Sequence, residues 1–473
     1  MREETSTPPI SSEDPTPVTS DADRNPASPS TTTAAPATAA PSASIGDDDA
    51  GRDAVGRVLR RRGQQPINWR RNLYAIFAAQ LMAIMAFSMR SPFLPFFLGE
   101  IGLDSLSQQQ LWSGIVNAGG AAVMAVAAPI WGNLADRKGR RPMLLRAQFA
   151  AFCTIGLMGF AVAPWQILGL RMVEGALTGT VTAATALVAA TVPKERLGYG
   201  LGLIQTAIFS GAAIGPLVGG VLADQIGFRP TFWAASCMML TGGLITLFVV
   251  REQFVPQGET EDAAPPVSAW ALLFTPLLLG MTLTMFMIRG AEGAVQPIMS
   301  LYIEQLSGMA ANASTLAGLV LGILGVTSAI SSVFLGRLGD KRGYRSILMV
   351  CALGAGLIYL PMAAAQAWWH MFLLQAVFGV FAGGMIPSAN ALVAQGTPPD
   401  RRGVVYGMMA TATSVGGVVG PLMGSFIAAG FGARMTFLLT GAMLLSLVAV
   451  LFVTQRRHHA STDGEAVEVV SRE

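Results

Sequence analysis

The chain has 473 residues, 52% of them hydrophobic and only 12% charged, with a formal net charge of +3. A soluble domain carries about 25% charged residues, so an ordinary soluble protein is excluded, and positive charge clustered in short loops speaks of topology rather than nucleic acid. The three cysteines, Cys153, Cys237 and Cys351, stand far apart inside apolar stretches, which excludes a disulfide framework or metal cluster and reads as three buried thiols.

Residues 1–66 lack Phe, Trp and Tyr and are rich in Pro, Ser, Thr, Ala and Asp. They cannot bury enough surface to fold, so a disordered cytoplasmic tail is expected. No short apolar core with a cleavage site precedes the first long apolar stretch, so the first membrane helix is expected to do its own targeting. The basic run Arg57 to Arg62 with Arg70-Arg71 is expected to act as a positive-inside anchor beside that helix, with contact to anionic lipid as the alternative.

Apolar stretches of spanning length, about 20 residues each, fall at 72–98, 111–134, 142–162, 165–190, 198–223 and 229–250. Six more follow at 273–304, 313–336, 345–365, 368–394, 402–428 and 433–454. The polar break 251–270 predicts a cytoplasmic linker between six-helix halves at 67–250 and 271–455, and 456–473 form a C-terminal tail. The predicted fold is an all-α polytopic membrane protein of twelve transmembrane helices. Cationic residues cluster before span one, between spans two and three, at 194–196, at 337–345, at 400–402 and at 456–457. All of these fall on one side, and by the positive-inside rule both termini are cytoplasmic.

The loop from Gly132 to Arg141, Gly-Asn-Leu-Ala-Asp-Arg-Lys-Gly-Arg-Arg, returns 204 residues later as Gly336 to Arg345, Gly-Arg-Leu-Gly-Asp-Lys-Arg-Gly-Tyr-Arg. Other pairs keep nearly the same offset: Pro92 with Pro297, Gly175 with Gly379, and Gly215-Pro216 with Gly420-Pro421. The halves are therefore parallel copies related by an axis along the membrane normal.

These residues resemble the major facilitator superfamily, and within it the twelve-span drug:proton antiporters. The loop 132–141 resembles that superfamily's G-x-L-a-D-r-x-G-r-k signature. The run Gly211 to Gly220, with Gly211, Gly215, Pro216, Gly219 and Gly220, resembles the fifth-span antiporter motif, and Arg171 to Gly175 resembles the fourth-span R-x-x-x-G motif. The segments 67–73, 92–95 and 112–116 are similar to a bacterial subgroup of multidrug exporters. The resemblance implies proton-coupled export, a central cavity lined by helices one, four and seven, and a cytoplasmic latch. The latch residues would be Gly132, Asp136, Arg137, Gly139, Arg140 and Asp340, with Asp136 pairing with Arg140 or a helix N-terminus in the outward-open state. The loop's charges also serve topology alone, but topology requires neither an Asp nor fixed glycines. The Gly-Pro motif reads both as close helix packing and as a coupling element, and the two are compatible.

Charges inside spans are the sharpest local signals, since each costs about 2.5–3.5 kcal/mol at a helix centre by insertion scales. Five stand out: Arg90, Arg171, Glu174, Arg289 and Glu292. Arg171 with Glu174, and Arg289 with Glu292, are spaced for local pairs. Arg90 has no acid within a turn of its own helix and needs a partner from another span, a lipid head group, a bound anion or the outer interface. At the repeat offset Arg90 maps to Val295, Glu292 to Phe87, Arg289 to Ile84 and Arg171 to Gln375, so none is copied. Charges that the scaffold repeat does not require are candidates for function. The three histidines sit at a span junction and in the tail, which leaves Glu174 and Glu292 as proton carriers. Many relatives place an acid in span one, where this chain has Arg90.

Expected cavity-lining residues are Met85, Phe87, Met89, Met285, Phe286 and Met287, with polar contacts from Gln80, Asn117, Gln296 and Asn390. Methionine-rich surfaces adapt to many shapes. The leading expectation is a monomeric exporter of amphipathic small molecules in the cell (inner) membrane, exchanging them for protons, with no cofactor, metal or nucleic acid. The alternatives are a more specific exporter of an anionic metabolite or siderophore, suited to the uncopied arginines, and a membrane sensor or scaffold using the N-terminal tail. Catalysis is not expected, since no nucleophile, base and metal-ligand set is visible near the spans.

Overall fold

A computed structural model describes residues 68–252, 276–308, 310–397 and 402–470. The tail expected at 1–66 and most of the linker at 251–270 lie outside these residues. Every described element is helical. The first part of the chain forms α1 (Trp69–Met89), α2 (Leu94–Glu100), α3 (Leu106–Lys138), α4 (Arg140–Met158), α5 (Pro164–Leu177), α6 (Thr180–Thr191), α7 (Leu197–Ile226) and α8 (Phe228–Phe248). The second part forms α9 (Pro276–Ser307), α10 (Ala313–Arg342), α11 (Tyr344–Ala363), α12 (Trp368–Gly396), α13 (Arg402–Phe431) and α14 (Ala433–Val470).

Each expected span coincides with one helix or one broken pair. Among the described residues, ten segments are long and apolar enough to cross a membrane, with α5 and α6 counted as one span. The two further expected spans, α4 and α9, carry Arg140, Arg141 and Arg146, and Arg289, Glu292 and Glu304. Helix α14 continues beyond its apolar segment, which ends at Phe452, to Val470.

Two spans read as continuous are interrupted. Span one stops at Arg90, the C-cap of α1, and resumes at Leu94. Pro92 and Pro95 together remove two backbone donors and disfavour helical geometry in the residues before them. The repeat mate of Pro92, Pro297, lies inside the unbroken α9, where no second proline follows. Span four breaks at Thr178–Gly179, with Gly179 at φ 138°. Its mate Gly383 lies inside the continuous α12.

The repeat is visible in the packing. Gly211, Gly215 and Gly219 lie one turn apart on α7 and abut α1 at Ile84, Met85, Ser88 and Met89; a Cβ on Gly215 would come 2.8 Å from the Met85 carbonyl oxygen. Gly416, Gly420 and Gly424 of α13 abut α9 in the same way, at Phe286, Gly290 and Ala294. Small residues let these backbones touch where no hydrophobic effect drives helices together.

Contacts between the two halves gather at the end of the bundle away from the cationic loops. There α7 packs on α10 and α3 on α13. Gly318 sits on the Pro216 carbonyl, and its mate Gly114 on the Pro421 carbonyl. Gly220 faces Ser314, and Asp224 accepts from the Thr315 backbone N–H at 2.7 Å. At the cationic end of α3, by contrast, the consecutive residues Ala128, Pro129 and Ile130 are exposed. Three neighbours cover most of a helix circumference, so that end of α3 is open towards the bundle interior as well as outwards. The bundle is closed at one end and parted at the other.

Two of the three thiols differ from expectation. Cys351 is buried, but Cys153 and Cys237 are exposed on the bundle's apolar exterior. Lipid-facing and core positions are equally apolar, so composition does not separate them.

Candidate functional site

Where α1 ends, Arg90 turns towards span four. Its guanidinium donates twice to Glu174, at 3.1 Å to Oε2 and 2.9 Å to Oε1. Arg171, one turn before Glu174 on α5, donates to the same Oε1 at 2.7 Å. Arg171 also approaches Asn117 Oδ1 at 3.5 Å, and Asn117 donates to the Ser113 carbonyl at 2.8 Å. Glu174 is only 3% exposed and Arg90 8%. One carboxylate thus lies between two guanidiniums, so the cluster carries one excess positive charge when all three groups are ionised. Both carboxylate oxygens accept guanidinium N–H groups, Oε1 from both arginines and Oε2 from Arg90.

The cluster borders a cavity of about 180 Å³ between the halves. Phe87, Ser88, Arg90 and Ser91 line it from span one, Asn117 and Arg171 from α3 and α5, and Gln296 and Pro297 from α9. Arg90 lies over the Phe87 ring, 5.4 Å from its centroid. Pockets for drug-sized ligands measure roughly 300–1,000 Å³; a molecule of that size would have to extend towards the open end.

Arg289 and Glu292 form their own pair at 2.8 Å, with side chains 44% and 29% exposed. They share a stripe on α9 with Leu279, Leu283, Phe286 and Gln296, residues three or four apart that are exposed or half-buried. Gln296 lines the cavity, so the stripe runs along the central space.

Other expected lining residues lie elsewhere. Gln80 and Met285, repeat mates at an offset of 205, are 1% and 4% exposed. Both turn into the interior of their own half, because that face of spans one and seven packs on neighbouring helices. Met89 and Met287 are also buried, while Met85 is half-buried with its backbone against α7. Asn390 is exposed, and its carbonyl accepts from the Tyr406 hydroxyl at 3.5 Å.

Of the expected latch residues, the Asp136 side chain lies outside the described residues. Gly132 and Arg137 are exposed, Gly139 is buried, and Arg140 is half-buried. Gly139 and its mate Gly343 take φ of 95° and 86°, a conformation that glycine adopts without strain. Asp340 accepts from the Tyr344 hydroxyl within its own loop. The acid found at the α4 N-terminus is Glu252, which accepts from the backbone N–H of Arg140 at 2.9 Å and of Arg141 at 2.7 Å. Sequence reasoning passed over Glu252, assigned to a linker, and Asp224, just beyond the fifth span. Their shared signal is an acid near a helix end. It also passed over Arg146, whose guanidinium lies 3.4 Å from the Trp131 ring centroid.

The sequence matches the family model of the Major Facilitator Superfamily over residues 76–328 and 281–471. The chain belongs to the major facilitator superfamily. Among its relatives is the multidrug resistance protein MdtG of Salmonella schwarzengrund (strain CVM19633), 36% identical over 380 residues that cover 80% of this chain and 94% of the relative. MdtG of Enterobacter lignolyticus (strain SCF1) is 35% identical over 396 residues, 84% of this chain and 95% of the relative. Two solved transporter structures share the fold. A bacterial homologue of the human lysosomal transporter Spinster, inward-facing and unoccupied, superimposes with a TM-score of 0.68 at 14% identity, covering 83% of this chain and 98% of that one. The human organic anion transporter MFSD10 gives 0.59 at 20% identity, covering 81% and 100%. As a superfamily member the chain is a multi-pass membrane protein, and its fold is that of transporters rather than of an enzyme scaffold.

Proposed function

We propose that the chain exports amphipathic small molecules across the cell (inner) membrane by proton antiport through alternating access, acting as a monomer. Both termini and the cationic loops lie on the cytoplasmic face in this reading, and the two six-helix halves rock about the cavity. The bundle is then inward-open. The observation that carries the proposal is the Arg90–Glu174–Arg171 cluster, buried beside the cavity and absent from the second copy of the repeat. The multidrug resistance of the relatives named above supports the choice of substrate. Protonation of Glu174 would release its arginines, and substrate or a change of state would drive the proton off again. Glu292 is the second candidate carrier, on the open stripe of α9. Substrate transport in proteoliposomes under an imposed pH gradient tests this, with wild type beside Glu174→Gln and Glu292→Gln. Full gradient-driven activity in both variants would remove the proton-site assignment.

A specific observation favours a second reading, export of an anionic metabolite or siderophore. The cluster holds two guanidiniums against one carboxylate, and the Arg171 Nε–H is buried without a partner among the described residues. Efflux measured against matched panels of lipophilic cations and of carboxylates separates the two; activity on cations alone eliminates the anion reading.

A further inference from the structure

Trp131 stands one residue before Gly132, where the cationic loop begins. Its indole N–H reaches across to span four and donates to the Ala176 carbonyl at 2.6 Å. Ala176 lies two residues after Glu174, in the last turn of α5, immediately before the break at Thr178–Gly179. The last four carbonyls of a helix lack partners within it, and Trp131 supplies one. Arg146 of α4 lies against the same ring, 3.4 Å from its centroid, at a distance where cation–π attraction is strong. One indole thus joins α3, α4 and the end of α5.

Among the described residues, the second copy of the repeat lacks this arrangement. Trp131, Arg146, Arg171 and Glu174 map to Leu335, Val350, Gln375 and Phe378. Helix α12 runs through the position equivalent to the break, and the carbonyl equivalent to that of Ala176, on Val380, is held by the Ser331 hydroxyl. The clamp, the break and the ion cluster are absent from the second copy together.

We propose that Trp131 is a positioning residue that ties the cationic loop to the Arg171–Glu174 turn. Movement of the α3 end during alternating access is passed through the Ala176 carbonyl to the short helix α5, with Gly179 as the hinge that frees α5 from α6. This rests on the transport reading of the cluster. Coupling of this kind is reciprocal: neutralising Glu174 must change the opening of the cationic end, and must do so only while the clamp is intact.

The test is a double-mutant cycle in the full chain, in a variant without the three native cysteines. Spin labels at the exposed positions Val126 on α3 and Ile330 on α10 report distances across the cationic end. Glu174→Gln is expected to change the ratio of open to closed distances at least about tenfold when Trp131 is present. With Trp131→Phe, which keeps a ring but lacks the N–H, the change should fall below about twofold. Arg146→Gln, which leaves Trp131 in place but removes its stacking partner, is the second background and should also reduce the response. An equal response to Glu174→Gln in all three backgrounds, or none with Trp131 intact, overturns the proposal. Gradient-driven export by the wild type is scored separately: its absence sinks the transport reading, whereas the distance cycle judges Trp131.

Discussion

Gln296 donates to the Ser91 hydroxyl at 3.0 Å, and the two residues, 205 apart, occupy the same place in the two copies of the repeat. Equivalent residues that touch must lie beside the axis relating the halves. The cavity lies there too, since both residues line it. Around it the scaffold obeys the repeat, with three glycines of α7 on α1 and their three mates of α13 on α9. Its chemistry does not: Arg90 precedes Ser91, while its mate, the buried Val295, precedes Gln296. A symmetric scaffold allows two halves to rock, and an asymmetric cluster at the axis gives that motion one place to sense charge.

Glu174→Gln is expected to be more damaging than Glu292→Gln. Glu174 is buried and accepts from two arginines, so the substitution leaves two enclosed guanidiniums without a counter-charge. Breaking a buried pair by removing one partner costs roughly 3–5 kcal/mol. The pair at Arg289 and Glu292 is half-exposed, where a pair contributes only about 0–1 kcal/mol. Thermal unfolding of the purified variants checks this: Glu174→Gln should lower the midpoint clearly, and Glu292→Gln should leave it within a degree or two. Equal effects would contradict the difference in burial.

Glu252 caps α4 through two backbone N–H groups and places negative charge at a helix N-terminus. Such caps contribute about 0.5–2 kcal/mol. Glu252→Ala should therefore lower the unfolding midpoint, and Glu252→Gln, which still accepts hydrogen bonds, should recover part of the loss. A Glu252→Ala protein as stable as wild type would show that the cap contributes nothing.

How far the sequence reveals this molecule depends on whether a signal is periodic or cross-chain. Hydropathy locates the spans because a bilayer demands continuous apolar segments, and the repeated loop reveals the two-copy scaffold. That Arg90 needs a partner outside its own helix follows from sequence; that the partner is Glu174 of another span does not, because the pairing depends on how span one ends at Pro92 and Pro95 and how span four is rotated. The rotation of spans one and seven is equally hidden, so Gln80 and Met285 looked like lining residues and are interior ones. Cys153 and Cys237 fail for a different reason: lipid and protein core select the same residues. Asp224 and Glu252 lie outside the apolar segments, where an acid reads as loop composition until the helix end it caps is placed beside it.

The antiporter motif contains two kinds of glycine that separate experimentally. Gly219 packs within the first half, against the Met89 carbonyl, and Gly220 packs across to the second half, against Ser314. An added methyl at Gly219 collides with backbone of its own bundle, and overpacking costs about 1–3 kcal/mol; Gly219→Ala should lose thermal stability. At Gly220 the same collision is relieved when the halves separate, so Gly220→Ala should retain more stability and shift the population towards opening at the end away from the cationic loops. Thiol-reagent access to cysteines at that end measures the second effect. Identical stability losses without any change of access would mean that the interface does not part there.

Asp224 supplies a sharper test of the same closed end. Its carboxylate accepts from the Thr315 N–H at 2.7 Å, in the first turn of the long helix α10, where unsatisfied N–H groups and the helix dipole favour an anion. The two residues belong to different halves, so the bond exists only while that end is closed, and its free energy enters the open–closed equilibrium directly. A carboxylate at a helix N-terminus contributes about 0.3–1 kcal/mol when exposed and up to about 2 kcal/mol when partly buried. Asp224→Ala should therefore raise the ratio of open to closed molecules at this end about fivefold, since 1 kcal/mol is about a factor of 5. Asp224→Asn, which can still accept the bond but carries no charge, should fall between alanine and wild type. Distances between spin labels at Leu106 and Phe431, exposed residues on α3 and α13, report this equilibrium. Unchanged distances in Asp224→Ala would show that the bond follows closure without stabilising it, and would leave glycine packing between α7 and α10, and between α3 and α13, as what holds the end shut.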